Sequence, residues 1–532
     1  MPTIFAVCDR SPHGTPYAVR VLVMCERGTL SCGQSVSPVP QLERNHESAE
    51  TVAPLCIDLD GTLIRTDLLL ESLLLLIRQS FWHVFLVPFW LLAGKAAFKD
   101  QIARRVRLDA AALPYNQDLV AWIRDQKTVG RRIVLATASH RRFAESVAEH
   151  LGCFDEVIAS DRSANLSGDS KLRALNDRFG QRGFDYAGNS SKDVCIWAGC
   201  RLSVVVHASK ATLHRAQAAG PVQQIFPKPK TKLKTWLRGL RVHQWVKNIL
   251  VFIPLFTSHH LSDIHAIKAA IVLFFAFCSC ASVIYIVNDL LDLPADRVHA
   301  TKSRRPFASG DLSIPQGAVL ALLFATISIG LASFLPPPAQ FILATYFVLT
   351  SLYSVVLKTK LILDVLTLAS LYTVRIFAGG LATHIRLSGW LITFSLFFFL
   401  SLAICKRSSE LINLVQANRT RTSGRFYEIS DLEPLNICGI SSGMLACFII
   451  LLYEGSQQAQ SLYATPQLLV LLCPLLFYWV SRLWVLTFRG ALKEDPILFA
   501  VRDRVSYAVC FAMAAIVVAA AFVHVPLERF LQ

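Results

Sequence analysis

From Ala269 to Val287 the chain runs for 19 residues without a charge. Hydrocarbon offers backbone amides no water, so a run that crosses it must satisfy its own hydrogen bonds, as a helix or a closed barrel. At 1.5 Å per residue a helix of this length covers nearly the whole hydrocarbon core of about 30 Å. Further apolar stretches continue to the end of the 532-residue chain, 53% of which is hydrophobic. We place nine spans at roughly 243–260, 265–287, 315–334, 338–356, 362–382, 388–405, 435–454, 466–487 and 505–525, the first of them short. The connections after the second, fourth, sixth and eighth spans hold fifteen Lys or Arg, from Arg297 to Arg504. The opposite loops and tail hold three, Lys268, Arg386 and Arg529. The positive-inside rule therefore places the basic connections, and everything before the first span, in the cytoplasm. It also accounts for the net charge of +16 without a nucleic-acid partner. The apolar stretch at 80–98 contains His83, Pro88 and Lys95, so it is expected as a helical cap or membrane-resting hairpin.

At the cytoplasmic exit of the second span stands "NDLLDLPAD", with Lys302, Arg304 and Arg305 close behind. A topological anchor needs only the bases. On a continuous helix Asp289, Asp292 and Asp296 fall at i, i+3 and i+7, on one face, and Pro294 predicts a kink before the third. Crowded carboxylates repel unless a cation joins them, and oxygen-only ligation suits Mg²⁺ shared with substrate phosphates. The plainer alternative is a solvated acidic helix end balanced by the bases. Arg375, inside the fifth predicted span, lies eleven residues beyond Asp364, hence on the same helical face and about 16 Å deeper. An arginine at such a depth faces a phosphate-binding cavity or a structural partner. Lys406 and Glu410 are expected to form a local i, i+4 ion pair.

Residues 51–220 alternate short β-type runs with helical segments, the pattern of a parallel α/β sheet. Within them "CIDLDGTL" puts Asp58 and Asp60 at a strand end, with Gly61 permitting a tight turn. One carboxylate there can attack phosphorus while its neighbour handles a proton. Residues 221–242 read as a basic linker leading to an anionic membrane face, and residues 1–50 as a poorly ordered polar leader. The fourteen cysteines show no paired metal-type spacing.

NDxxDxxxD, as Asn288, Asp289, Asp292 and Asp296, resembles the first aspartate-rich motif of the UbiA-type prenyltransferase superfamily. That resemblance spans about 236–525 and implies nine membrane helices and a diphosphate held through Mg²⁺. "LRVHQWVKNILVF", "YSVVLKTKLILDVLTLASLYTVRIFAGG" and "EDPILFAVRDR" resemble the polyprenyl-phosphate phosphoribosyltransferases, although Val242 stands where that branch usually has proline. The resemblance implies substrate contacts by Lys247, Asn288, Tyr353, Lys358, Asp364 and Arg375, beside Lys302, Arg304 and Arg305. Asp495 and Asp503 fit the pattern without a role that spacing gives them. DxDGT resembles the haloacid dehalogenase phosphatases, which implies Asp58 as nucleophile and Asp60 as acid/base. Thr137 and Lys171 then bind phosphate, and Asp193 with Asn189 joins Asp58 and Asp60 around Mg²⁺. Asn189 departs from the usual aspartate and weakens the expected metal affinity.

The expected architecture is thus a Rossmann-like α/β haloacid dehalogenase-type domain followed by an all-α membrane domain of nine helices. The expected chemistry is Mg²⁺-dependent transfer of 5-phosphoribose from phosphoribosyl pyrophosphate to a polyprenyl phosphate in the bacterial inner membrane, the front domain dephosphorylating the lipid product. Prenylation of an aromatic acceptor by a polyprenyl diphosphate, and an ion-binding transporter or scaffold, remain the alternatives.

Overall fold

The computed structural model describes residues 52–524 except 163, 259–260, 300, 417–425 and 493–494. The leader expected at 1–50 lies outside the described residues. Six strands, β1 (Leu55–Ile57), β2 (Ile133–His140), β3 (Glu156–Ser160), β4 (Asp185–Gly188), β5 (Ser203–Val206) and β6 (Val222–Phe226), form one sheet in the order β3-β2-β1-β4-β5-β6. All pairings are parallel. Alternate residues feed two cores: Leu55, Ile57, Ile133 and Leu135 on one face, Cys56, Val134 and Ala136 on the other. A sheet buried on both faces needs helices on both, as parallel crossovers supply. Strand order reverses between β1 and β4, where such a sheet opens a crevice at its carboxyl ends. β6 pairs with β5, so the α/β unit continues past residue 220 and residues 222–226 belong to the sheet, not to a linker.

Between β1 and β2 the chain builds a helical cap from α1 (Leu68–Gln79), a 3₁₀ turn Phe81–Leu86, and the helices Val87–Leu92 and Lys95–Arg105. The apolar 80–98 stretch is broken at Gly94, whose φ of +99° ends the second of these helices. Trp82, Phe85, Phe89 and Leu92 stay exposed.

Among the described residues, eight helices are long and apolar enough to cross a membrane: Ile264–Leu291, Ile314–Ala332, Pro337–Val355, Leu363–Thr383, Gly389–Gln416, Ile429–Glu454, Pro466–Phe488 and Arg504–Phe522. The stretch expected as the first span, 243–260, is instead a 3₁₀ run Val242–Phe252 followed by a short helix Ile253–Thr257. Its polar residues explain the departure: Lys247 and Asn248 are buried and held by side chains of later helices. The run lies against Gly379, where an added Cβ would come within 2.1 Å of the Val251 carbonyl oxygen, so only glycine permits the approach. Ile264–Leu291 and Leu363–Thr383 are the most buried of the eight, and they carry Asp289, Asp364 and Arg375. The outermost helices present Val319, Leu322, Phe511 and Val518 outward, an apolar surface suited to lipid.

Two candidate active sites

The turn after β1 brings Asp58 and Asp60 to the crevice. Gly61 adopts φ +73°, and a Cβ there would collide with the Asn189 side chain at 2.1 Å. The turn is thus pressed against the loop after β4, at the reversal of strand order. Lys171 Nζ, almost fully buried, donates to Asp58 Oδ1 at 2.7 Å and to the Tyr186 hydroxyl at 2.9 Å. Tyr186 in turn donates to Asp193 Oδ1 at 3.0 Å. The other Asp193 oxygen accepts the Asn189 and Ser190 amides at 3.1 and 2.8 Å. Asp60 accepts the Leu68 amide at 2.8 Å and the Ser139 hydroxyl. Burial, and then the charges of Asp67 and Asp58, push the Asp60 carboxyl up to about 7. Burial also raises Asp58, against the pull of Lys171. Thr137 is buried with its hydroxyl accepting the Ser139 amide, and Ser139 rather than Thr137 lines the cavity.

Lys99 of the cap, which sequence patterning passed over, reaches the same crevice. Its Nζ donates to the Ala138 carbonyl at 2.5 Å and to Asn165 Oδ1 at 2.7 Å. Burial lowers its pKa, opposed by Asp60 and Asp67.

In the membrane half the acidic motif is split by the chain itself. Ile264–Leu291 ends before Asp292, and a second helix starts at Leu293 with Pro294 in its first turn. Asp289 and Asp296 are buried and share Arg305, whose guanidinium lies 3.0 and 2.6 Å from them. Arg241 grips Asp289 through both Nε and Nη2. Arg241 takes φ +52°, a left-handed conformation that non-glycine residues seldom adopt without a reason. Asp292 does not join this pair on one face; it turns to Arg78 of α1, 3.2 Å away. Lys302 and Arg304 stand on the exposed side of the turn from which Arg305 points inward. Asn288 donates to the Ser354 hydroxyl at 2.9 Å.

Three further polar clusters lie among the helices. Asp495 accepts Lys247 and Lys406 at 2.8 and 3.0 Å. Asp364 accepts the Tyr353 hydroxyl at 2.7 Å and pairs with Arg407 at 2.5 Å. Arg407 also holds Glu410, so the expected Lys406–Glu410 pair is replaced: Glu410 takes its i−3 neighbour on the same helix, and Lys406 turns to the distant Asp495. Arg375 donates to Asn248 Oδ1 at 2.8 Å, to the Tyr346 hydroxyl at 2.9 Å and to the Leu371 carbonyl. Among the described residues no carboxylate pairs with it. Lys358 lies half-buried in the turn Leu357–Thr359, and Asp503 caps the last helix and pairs with Arg482 at 2.7 Å.

Among the described residues, no three His, Cys, Asp or Glu side chains converge as a ready metal cage. Magnesium does not require one, because it takes one or two carboxylates and fills the rest of its shell with water and phosphate oxygens. The crevice offers such donors in the buried carboxylates Asp58 and Asp193 and the half-buried Asn189 amide oxygen, with Lys171 directly on Asp58 alone. Asp289, Asp292 and Asp296 are also hard oxygen donors, at present balanced by guanidinium groups.

The two halves meet directly. α1 begins beside Asp60, through its Leu68 amide, and ends at Arg78, which reaches Asp292 and the Leu291 carbonyl. Midway, Glu71 forms a buried, two-pronged ion pair with Arg297, and Leu74 packs against the apolar cluster that contains Leu290, Leu293 and Phe307.

Residues 55–196 match the haloacid dehalogenase-like hydrolases and residues 251–491 match the UbiA prenyltransferase family. The chain carries a UbiA prenyltransferase family domain in its C-terminal half and a haloacid dehalogenase-like hydrolase domain in its N-terminal half. Both families are enzymes. The protein y4nM of Sinorhizobium fredii, itself uncharacterised, is 35% identical over 85% of this chain and 88% of its own. The nodulation protein NoeC of Azorhizobium caulinodans is 34% identical over 52% of this chain and 89% of its own. The decaprenyl-phosphate phosphoribosyltransferase of Mycobacterium tuberculosis is 29% identical over 53% of this chain and 93% of its own. A UbiA homologue from Archaeoglobus fulgidus, solved with GPP and Mg²⁺, aligns to 54% of this chain and 99% of its own, with 14% identity and a TM-score of 0.41.

Proposed function

We propose that the UbiA domain transfers 5-phosphoribose from phosphoribosyl pyrophosphate to a polyprenyl phosphate, and that the hydrolase domain removes the 5-phosphate of the lipid product. The observation that carries the first step is the pair Asp289 and Asp296, buried at a span's end and bridged by Arg305, with Arg241 also on Asp289. An oxygen of the lipid phosphate attacks the ribose C1, the C1–O bond to diphosphate breaks, and both electrons leave with the diphosphate. Arg305 and Arg241 are placed to neutralise that leaving charge, which lowers the barrier because the charge grows in the transition state. Magnesium held by Asp289 and Asp296, joined by Asp292 on its release from Arg78, would supply further positive charge to the diphosphate. The relatives named decaprenyl-phosphate phosphoribosyltransferase support this donor over a prenyl diphosphate.

In the hydrolase domain Asp58 attacks phosphorus, Lys171 holds the phosphoryl oxygens, and Asp60 gives its proton to the departing sugar oxygen before activating the water that frees phosphate. A carboxyl near pH 7 is suited to both tasks. Asp58, Asn189 and Asp193 are the donors for magnesium there, which would offset the phosphoryl charge. Lys247, Asn288, Tyr353, Lys358, Asp364 and Arg375 are proposed to shape the transferase cavity, with Lys302 and Arg304 at its mouth.

The protein is proposed to lie in the inner membrane with both sites cytoplasmic, and with Val242–Thr257 as the ninth crossing element. Eleven 3₁₀ residues at about 2.0 Å and five α residues at about 1.5 Å reach about 30 Å, one hydrocarbon thickness. The deciding experiment supplies purified protein with Mg²⁺, polyprenyl phosphate and ring-labelled phosphoribosyl pyrophosphate. Label enters the lipid fraction if the reading is right. Label entering only from a prenyl diphosphate, onto an aromatic acceptor, overturns it.

A further inference from the structure

The crevice that holds Asp58 does not end in the hydrolase domain. It widens into a cavity of about 870 Å³, whose far wall is built by the connecting segment Lys228–Thr235 and by Gly310–Gln316 of the UbiA domain. That volume lies toward the upper end of the 300–1,000 Å³ typical of ligand sites, and is far more than one phosphoryl group fills. The two walls are pressed together at one point. Gly310, at φ +76°, leaves room for no Cβ, which would lie 2.8 Å from the Arg65 Cβ. Arg65 itself follows the catalytic turn and lines the cavity.

Charge is distributed unevenly along this space. At the catalytic end the carboxylates Asp58, Asp60, Asp67 and Asp193 stand among the cations Lys99, Lys171 and Lys192, which largely offset them. Toward the membrane half the wall carries Lys228, Lys230, Lys232 and Arg65 against the single carboxylate of Asp311. A phosphomonoester alone uses the first end and leaves the second unmatched.

We propose that the hydrolase site takes substrates by two anions, a phosphomonoester at Asp58 and a phosphodiester at Lys230 and Lys232, so that its substrate class is a phosphorylated sugar carried on a lipid phosphate. This rests on the phosphatase reading above, and it adds the recognition that makes the UbiA domain and the connecting segment part of the phosphatase. Continuity of the wall with the membrane half favours a lipid-borne diester over a free diphosphorylated metabolite.

The test measures phosphate release by the full-length protein from two chemically prepared probes. One is ribose 5-phosphate, and the other is its C1 phosphodiester with the short isoprenoid alcohol citronellol. The diester probe is expected to show a kcat/KM about tenfold or more above the monoester, carried mainly by KM, as two charge-assisted contacts would give. Lys230→Ala with Lys232→Ala is expected to remove that advantage while the monoester rate changes less than about twofold. Equal rates on both probes, or equal loss on both in the double variant, overturns the two-anion site. Faster turnover of ribose 1,5-bisphosphate than of the diester assigns the second anion to a soluble metabolite and overturns the lipid assignment. Hydrolysis of no probe sinks the phosphatase reading itself, and with it this inference. Because the probes are synthetic, none of these outcomes depends on the transferase.

Discussion

At the scale of single residues, the hydrolase site stores its chemistry in buried carboxylates. Asp58→Asn is expected to reduce phosphate release by about 10³-fold or more, since an amide cannot attack phosphorus; a phosphorylated lipid product should then accumulate in the transferase assay. Asn189→Asp adds a negative charge among hard oxygen donors. It is expected to lower the Mg²⁺ concentration for half-maximal phosphatase activity by about tenfold, read from a metal titration. Asp60 gives a pH signature in metal-free protein. Its folded carboxyl titrates near 7, above its unfolded value, so its contribution to stability is full below the unfolded value and lost as pH rises through 7. Melting temperature in detergent should therefore fall between about pH 4 and 7, with a slope of at most about 1.4 kcal/mol per pH unit from this group. Asp60→Asn should flatten that part of the curve, and Mg²⁺ should restore stability at neutral pH.

At the scale of elements, α1 is a strut between the two sites. Its Glu71 and Arg297 are 2% and 7% exposed in their side chains, and Glu71→Gln leaves a buried guanidinium without its charge partner. Losses of about 3–5 kcal/mol are usual for such a broken pair, so the detergent melting temperature should fall clearly, whereas Arg78→Ala, at a half-exposed pair, should barely move it. Arg78→Ala should instead strengthen Mg²⁺ dependence at the transferase site, because it releases Asp292 from its cation. The same element shows where periodicity stopped being a guide. Three aspartates at i, i+3 and i+7 read as one helical face, but the chain breaks at Asp292, and α1, two hundred residues earlier, claims that carboxylate. Pro294 did announce a break, since a missing amide is visible in any sequence.

At the scale of the whole molecule, eight apolar helices, a basic connecting segment and an exposed apolar cap share one membrane face in the proposed reading. Trp82, Phe85, Phe89 and Leu92 project outward from the cap, and aromatic and aliphatic side chains of this kind favour the boundary between headgroups and acyl chains. With the protein in nanodiscs, a photoactivatable phospholipid is expected to label peptides spanning 82–92, as read by mass spectrometry. Labelling of those peptides by a water-soluble probe instead would place the cap in solvent.

The sequence by itself determined what is local. Uncharged length marks a membrane helix, because unpaired amides cannot enter hydrocarbon. Alternating short β-runs and helices mark a parallel sheet, and DxDGT and NDxxDxxxD announce where carboxylates gather. Partners distant along the chain were decided only by the tertiary structure. Arg241 meets Asp289 across 48 positions, Arg407 meets Asp364 across 43 and Lys247 meets Asp495 across 248. No period encodes such meetings, since they follow from how helices cross and which side chains must be satisfied once water is excluded. The first predicted span is the same case. Its apolar content promised a helix, yet burying Lys247 and Asn248 against later helices bent it into a tighter one. The cavity wall shared by Asp58 and Gln316 exists for that reason too: it needs two domains to fold before either end has its other side.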